Sequence, residues 1–421
     1  MSKVKHFLFL FSLLFCFFTK NVISQSEISS PYSGFGMGKL TSTTNGTMAA
    51  LGGTSYALKN NLFINYKNPA SYTAFDSLSF IGDAAFFVSF GNLKTAEQEQ
   101  RADVARFGYL TIGLPVTKHW RTSVGIIPFS DIGYNIIDKK EDRSYSYVGE
   151  GGLMQLYWGN AFKLYKELSF GLNVSYLFGS MNNIRYAEYT GEHFLNSRIA
   201  RNNYINGICF TAGLQYFTDI NANHRLGFGL VYDRSVQIWV KENLLINNYL
   251  GVYDNSAAYD TVLYQEGNKG RMVLPQSVGF GMSYFFANKL LIGADVTWQN
   301  WNNYKMMGHG DSLIDAIVVN VGVQFTPNAA SNKYFKRINF RLGAKYSTGY
   351  LNLNDTPLPE MAVTFGLGFP FRSFTSQSSL HIMFEYGQMG TTAHGLINQN
   401  YFKVQLNFIL HEKWYQRTKL E

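Results

Sequence analysis

From residue 75 onward the chain alternates between apolar and polar positions with a strict period of two. Phe170, Leu172, Val174, Tyr176 and Phe178 share one face, and Ser169, Gly171, Asn173 and Ser175 share the other. Residues 401–410 repeat the pattern, with Phe402, Val404, Leu406, Phe408 and Leu410 opposite Lys403, Gln405 and Asn407. Residues 337–346 do so again, placing Arg337, Arg341 and Lys345 on the polar face. Successive side chains of a strand point to opposite faces, so this period predicts strands and excludes helices. Roughly 14 such segments occur between residues 77 and 410, each near the length that crosses a bilayer as a tilted strand. Their connections alternate between long and short, as hairpins do when short turns gather at one end of a barrel and long loops at the other. Residues 237–271 form the longest of these predicted loops and carry Tyr249, Tyr253, Tyr259 and Tyr264. The predicted fold is all-β, a transmembrane antiparallel barrel over residues 76–410 with both termini periplasmic. Tyr157, Trp158, Trp298, Trp301, Tyr346, Tyr350, Tyr386 and Tyr401 lie near segment ends, where a barrel places aromatic girdles.

Composition agrees. The chain is 46% hydrophobic and 16% aromatic, which excludes disorder, yet only 15% charged, well short of a soluble domain. Residues 1–24 read as a signal peptide: Lys3 and Lys5 precede an apolar run from Phe7 to Phe18 that is too short to span a membrane. Cys16 follows Phe15 rather than a small residue, which excludes a lipoprotein site, and the single remaining Cys209 cannot form an internal disulfide. Loss of Lys3, Lys5 and Lys20 lowers the net charge from +8 to +5, and no run of like charge points to nucleic acid.

Residues 25–75 do not alternate and are rich in Ser, Thr, Gly and Asn; they are predicted to fill the barrel as a plug. Residues 411–421 follow as a periplasmic tail. Gly46 to Ala57, then Phe63-Ile64-Asn65-Tyr66-Lys67-Asn68-Pro69-Ala70, resembles the hatch of FadL-type outer-membrane transporters of long-chain fatty acids and aromatic hydrocarbons. Leu274-Pro275-Gln276-Ser277-Val278-Gly279-Phe280-Gly281, residues 292–298 with Trp301, and Arg341-Leu342-Gly343-Ala344-Lys345-Tyr346 are similar to further motifs of that family. The resemblance implies a hatch that shifts at Asn68, Pro69 and Ala70 to open a passage, with an exit sideways through a gap in the wall. Lys59-Asn60-Asn61 stands where the family usually carries an acidic pair. The stretch Ser30 to Gly38 and the ending His411 to Glu421 resemble a Bacteroidetes branch in which some such barrels are accessory subunits of secretion or barrel-assembly machines.

No nucleophile elbow, metal-binding helix or phosphate loop is present, so no enzyme and no cofactor is expected. The candidate ligand-binding residues are inward-facing. Arg337, Arg341 and Lys345 lie along one strand, Lys403 on the strand two away, and His381 and Glu385 on the strand between. This basic stripe could meet the carboxylate of an amphipathic ligand or be paired with acids of loops or plug, Asp295 among them. Two functions compete: a conduit for fatty acids or other hydrophobic molecules, which predicts an apolar pocket below the loops, and a non-transporting subunit of an outer-membrane assembly or secretion barrel, which predicts a blocked lumen.

Overall fold

The computed structural model describes residues 30–41, 44–191, 194–251, 253, 259–287, 289–371 and 376–413. The predicted signal peptide and residues 414–421 lie outside them. The chain forms a closed antiparallel barrel of 14 strands. They are β1 (Ser79–Lys94), β2 (Glu99–Pro115), β3 (Trp120–Lys139), β4 (Arg143–Tyr165), β5 (Leu168–Tyr189), β6 (Asn196–Asn221) and β7 (His224–Asp233, resuming at Val236–Tyr249). There follow β8 (Tyr259–Leu274, resuming at Ser277–Phe286), β9 (Leu290–Gln299), β10 (Ala316–Phe325), β11 (Asn339–Ser347), β12 (Glu360–Pro370), β13 (Ser379–Met389) and β14 (Asn398–Lys413). β14 closes the barrel on β1, from Ser79↔Lys413 to Lys94↔Asn398. The last strand thus runs three residues past the predicted barrel end at 410.

β7 and β8 break side by side, at Arg234–Ser235 and at Pro275–Gln276, between the pairs Asp233↔Ser277 and Val236↔Leu274. Proline lacks the N–H that a continuous ladder needs at this point. Most of the predicted 237–271 loop is strand: β7 and β8 continue as a ribbon from Val236↔Leu274 to Tyr249↔Tyr259. Within it Tyr249 is buried and Tyr264 is exposed.

The burial pattern is that of a membrane barrel. On β5, Ser169, Asn173 and Ser175 are buried while Tyr176 is 46% exposed; on β14, Gln405 and Asn407 are buried while Phe402 and Leu406 are exposed. Apolar side chains face outward and polar ones inward, the reverse of a soluble sandwich. Trp158, Trp298, Tyr346 and Tyr386 lie on the outer face, as girdle residues should. Tyr157, Trp301 and Tyr401 are instead buried inside, because they fall on the inward parity or on the returning loop.

One seam interrupts the wall. β2 and β3 pair only from Leu110↔Ile126 to Pro115↔Arg121, although both strands continue well beyond. Past Ile126, β3 carries an irregularity at Pro128–Ser130 and bends inward, so that Ser130, Asp131, Ile132 and Gly133 are all buried. There it takes a new partner, the N-terminal strand Lys39–Leu40, through Lys39↔Asp131 and Leu40↔Ser130.

Candidate functional site

The segment from Ser30 to Phe75 runs through the barrel interior. It has little regular structure: one turn of α-helix at Gly46–Ala49 and 3-10 turns at Pro31–Gly34 and Pro69–Ala74. Buried backbone groups outside helices and sheets need other partners, and the polar inner wall supplies them. Gln215 Nε2 donates to Tyr56 O and Leu58 O at 2.8 and 3.0 Å. Ser283 Oγ donates to Ala57 O at 2.7 Å, and Asn173 Nδ2 to Tyr66 O at 3.0 Å. Thr364 Oγ1 accepts from Gly52 N at 2.9 Å and donates to Ala50 O at 3.1 Å. Asp295 is not a counter-charge to the basic stripe: its Oδ2 accepts the Ser55 and Tyr56 amides at 2.5 and 3.0 Å. The polar inner wall is therefore largely a socket for the plug.

Asn68, Pro69 and Ala70 sit at the centre of this seat, all buried. Asn68 caps the Pro69–Ala74 turn, its Oδ1 accepting from Ala70 N at 3.1 Å, and Pro69 opens that turn. Asn68 Nδ2 donates to Tyr56 O at 2.7 Å and to Leu214 O of β6 at 3.1 Å. Two inward glycines permit this approach. A Cβ at Gly213 would lie 2.1 Å from Asn68 Oδ1, and one at Gly171 would lie 2.3 Å from the Pro69 carbonyl carbon. Any larger residue at either position would displace the motif. In the departure from the hatch pattern, Lys59 Nζ donates to Ser169 Oγ at 3.1 Å and Asn61 Nδ2 to Asp76 Oδ2 at 2.8 Å.

The loop end is sealed separately. Tyr32 and Met37 pack in one apolar cluster with Trp301, Tyr304, Leu313, Leu351 and Leu358 from the returning loops. The hydrogen bond from Tyr32 OH to Ile397 O and that from Gly36 N to Asp311 Oδ2, both 2.5 Å, fix the start of the segment under these loops. Between this seal and the hatch lies a cavity of about 360 Å³. Its lining combines the apolar side chains a conduit predicts, Ile127, Phe129, Phe210, Val231, Leu274 and Trp301 among them, with the charged Lys39, Lys67, Asp233, Lys345, Glu360 and Glu385. Lys67 makes no ion pair with a described residue; burial lowers its ammonium pKa from the usual value, and the Asp233 charge pulls it back up.

The structure brings together five of the six candidate ligand residues, in two groups. Arg341, on β11, is buried; it donates to Gln324 Oε1 at 2.7 Å and lies 2.8 Å from His381 Nδ1. His381 Nε2 also lies 2.8 Å from Ser379 Oγ. In the second group Lys345 pairs with Glu360 at 3.0 Å and Lys403 with Glu385 at 2.9 Å. Tyr401 OH lies 2.9 Å from a carboxylate oxygen of each of Glu360 and Glu385, with one proton to share between them. The stripe is thus balanced by acids of the wall itself, not by loops or plug. Arg337 does not belong to it: the strand begins at Asn339, and Arg337 ends a 3-10 turn with its guanidinium over the Tyr334 ring. Lys403 is also three strands from Lys345, because β12 intervenes and carries Glu360 at its first position. Sequence reasoning missed Glu360 and Lys39, which stand just outside any alternating run. Among the described residues, no group of three His, Cys, Asp or Glu could hold a metal ion.

The BamG family model matches residues 3–421, almost the whole chain. The chain belongs to the BamG family. A search of curated proteins finds no match to it. Among solved structures, this BamG-family chain is similar to the CymD monoaromatic hydrocarbon channel, at 14% identity and a TM-score of 0.57, covering 89% of this chain and 98% of that one. A Pseudomonas aeruginosa FadL homologue matches at 13% identity and TM-score 0.59, covering 90% and 100%. The P. putida toluene transporter TodX matches at 14% and 0.57, covering 88% and 98%. At these identities the likeness establishes the FadL-type fold, as the hatch motif implied, and the fold alone.

Proposed function

We propose that this BamG-family barrel is a plugged, non-transporting subunit that serves outer-membrane protein assembly, with its short turns and both termini in the periplasm, residues 1–24 as its export signal and 411–421 as a periplasmic tail. The observation that carries this reading is the N-terminal segment lodged in the lumen, which leaves within it a cavity of about 360 Å³. The N-terminal segment packs under the returning loops through Tyr32 and Met37 and is hydrogen-bonded to the wall at points from Ser30 to Asn68. The family name points in the same direction, to barrel-assembly proteins. In this reading the hatch stays seated and the barrel works through its surfaces. Depleting the protein in its native host should lower the folded, heat-modifiable forms of several other outer-membrane barrels while toluene and oleate still enter. Normal barrel levels with lost uptake of either compound would overturn it.

A second reading is passage of hydrophobic or amphipathic molecules. Specific support comes from the cavity, which reaches Ile127, Pro128 and Phe129 at the wall seam, and from a fold shared with proteins described as hydrocarbon channels. In that reading Lys345, Lys403 and Glu385, with Arg341 and His381 behind them, form the polar end of the ligand pocket, and the hatch moves at Asn68, Pro69 and Ala70. Replacing Asn68→Ala together with Pro69→Ala should then change ligand uptake with the barrel still folded.

A further inference from the structure

Above the breaks in β7 and β8 the outer wall changes from apolar to basic. Successive side chains alternate between the two faces of a strand. Ile238, Val240, Met272 and Leu274 are buried on the inner face, so Trp239, Lys241, Lys269 and Arg271 stand on the outer one, all exposed. On β6, burial of Asn203 and Ile205 places Tyr204, Asn206 and Ile208 outward in the same way. The ladders align these residues in two rungs, Asn206↔Trp239↔Arg271 and Tyr204↔Lys241↔Lys269. Just below, toward the middle of the membrane, the outward positions are Ile208 on β6 and Val273 on β8, followed by the exposed Leu214, Val278 and Phe280. The apolar band therefore ends beneath Trp239, which is 57% exposed and stands where a girdle aromatic belongs. The short strand Lys305–Met306 adds a further cation at this level: Lys305 pairs with Val273 and is exposed, while Met306 pairs with the buried Met272.

These charges are not balanced by neighbouring acids. Lys241 stands directly opposite Lys269, and like charges so placed destabilise an antiparallel pair. The Lys241 chain leans over β8 at Gly267, where an added Cβ would lie 3.1 Å from its Cε. Arg271 is the next outward residue after Lys269; it donates to Gln237 Oε1 at 2.8 Å and lies 4.7 Å over the Trp239 ring. The adjacent carboxylate, Glu242, belongs to the other face of β7 and is taken by Arg201 at 3.1 Å. Glu266 accepts the Tyr264 hydroxyl at 3.2 Å. Among the described residues, none of Lys241, Lys269, Arg271 and Lys305 forms an ion pair. A row of cations at the upper border of an apolar wall matches one kind of molecule, an amphipath with an anionic head. Its phosphates suit Lys and Arg, which bind them through charge-assisted hydrogen bonds, and its chains cover the wall beneath. A soluble polyanion would use only the upper half of this surface.

We propose that Lys241, Lys269, Arg271 and Lys305 bind the phosphorylated head of a lipid in the outer leaflet of the outer membrane, with its acyl chains lying on Ile208, Val273 and the apolar band below. The lipid relieves the repulsion between Lys241 and Lys269 and ties the projecting ribbon of β7 and β8 to the membrane surface. Placement in the outer leaflet rests on the long strands facing outside; the phosphate-binding chemistry does not, and the two are tested apart.

The test uses the full chain in detergent micelles, with native mass spectrometry reading what it retains. The probes are diphosphoryl lipid A, the same lipid stripped of both phosphates, and inorganic phosphate alone. Lys241→Gln with Lys269→Gln should lower retention of the diphosphoryl lipid about tenfold or more. Lys118→Gln with Lys289→Gln, the same change of charge at two exposed lysines of the short turns, should leave it unchanged. Equal retention by the two double variants, or equal retention of the stripped lipid, would overturn the proposal. Inorganic phosphate that binds as tightly and displaces the lipid would overturn it too, by assigning the patch to a soluble anion. Without lipid, Lys269→Gln should raise the heat-modification midpoint by removing one of the opposed charges; a midpoint at or below that of the unaltered chain would show the charges to be balanced already and sink the premise. Orientation is read on whole cells by labelling Thr261→Cys, an exposed position higher on the ribbon, with a large polyethylene-glycol maleimide in a Cys209→Ser background. Labelling is expected, and its absence would overturn the outer-leaflet placement.

Discussion

Replacing Asn68 with alanine should release the hatch and leave the barrel intact. The side chain is fully buried and makes three hydrogen bonds: to Tyr56 O, to Leu214 O and from Ala70 N. Tyr56 O keeps a second donor in Gln215, so its loss is partial. The Ala70 amide loses its cap, worth about 1 kcal/mol, and buried groups left unpaired cost about 1–3 kcal/mol each. A total of about 2–4 kcal/mol is therefore removed from the seat of the hatch. At tenfold per 1.4 kcal/mol, hatch opening should become about 30- to 700-fold more frequent. Hydrogen exchange on the full chain in nanodiscs reads this directly. Amides of residues 44–75 should exchange faster by that factor, while those of β9 to β14 stay unchanged, because their ladders do not involve Asn68. Unchanged exchange in the hatch would refute the claim that these bonds hold the plug. Equal acceleration in the wall would refute the claim that hatch and wall are separable.

Three other outcomes follow from the same geometry. Gly213→Val places a side chain where a Cβ alone already stands 2.1 Å from Asn68 Oδ1, and should unseat the hatch at least as strongly, seen as trypsin cleavage after Lys59 or Lys67 in the folded barrel. Glu385→Gln leaves Lys403 buried without its carboxylate and should destabilise the barrel by about 3 kcal/mol, measured as a fall in the heat-modification midpoint; the double change Glu385→Leu with Lys403→Met should recover most of that loss. Trp301→Ala removes a buried member of the loop-end seal at a cost of about 3–5 kcal/mol, and should admit small solutes to the cavity, detectable as faster swelling of proteoliposomes only when combined with Asn68→Ala.

The barrel was legible because alternation is local: each lipid-facing run announces its own strand, as residues 168–178 and 401–410 do. The upper parts of β3 to β8 were not legible, since beyond the bilayer neither face is required to be apolar and the pattern fades into what looks like loop. The charged group was half legible. Lys345, Lys403, Glu385, Arg341 and His381 could be assigned to the inner face by parity, whereas Glu360 opens its strand after Pro359 and Lys39 lies in a segment without period. Arg337 was placed inward by extending that parity two residues too far. The hatch contacts were beyond reach for another reason. Asn68 with Leu214, or Ser55 with Asp295, join residues far apart in the chain, and nothing local marks either partner. The exchange of strand partners at Ile126 is equally non-local, although Pro128 marks the place where the ladder cannot continue.

The role proposed for this BamG-family barrel is to join other outer-membrane proteins with its hatch seated. It is tested most directly by weighing the particle released from native outer membranes by mild detergent, with lipids and proteins retained. The expected result is a stoichiometric complex containing a larger outer-membrane assembly barrel, with no lipid in the cavity. A solitary barrel carrying a bound fatty acid or hydrocarbon, with no protein partner, would contradict it.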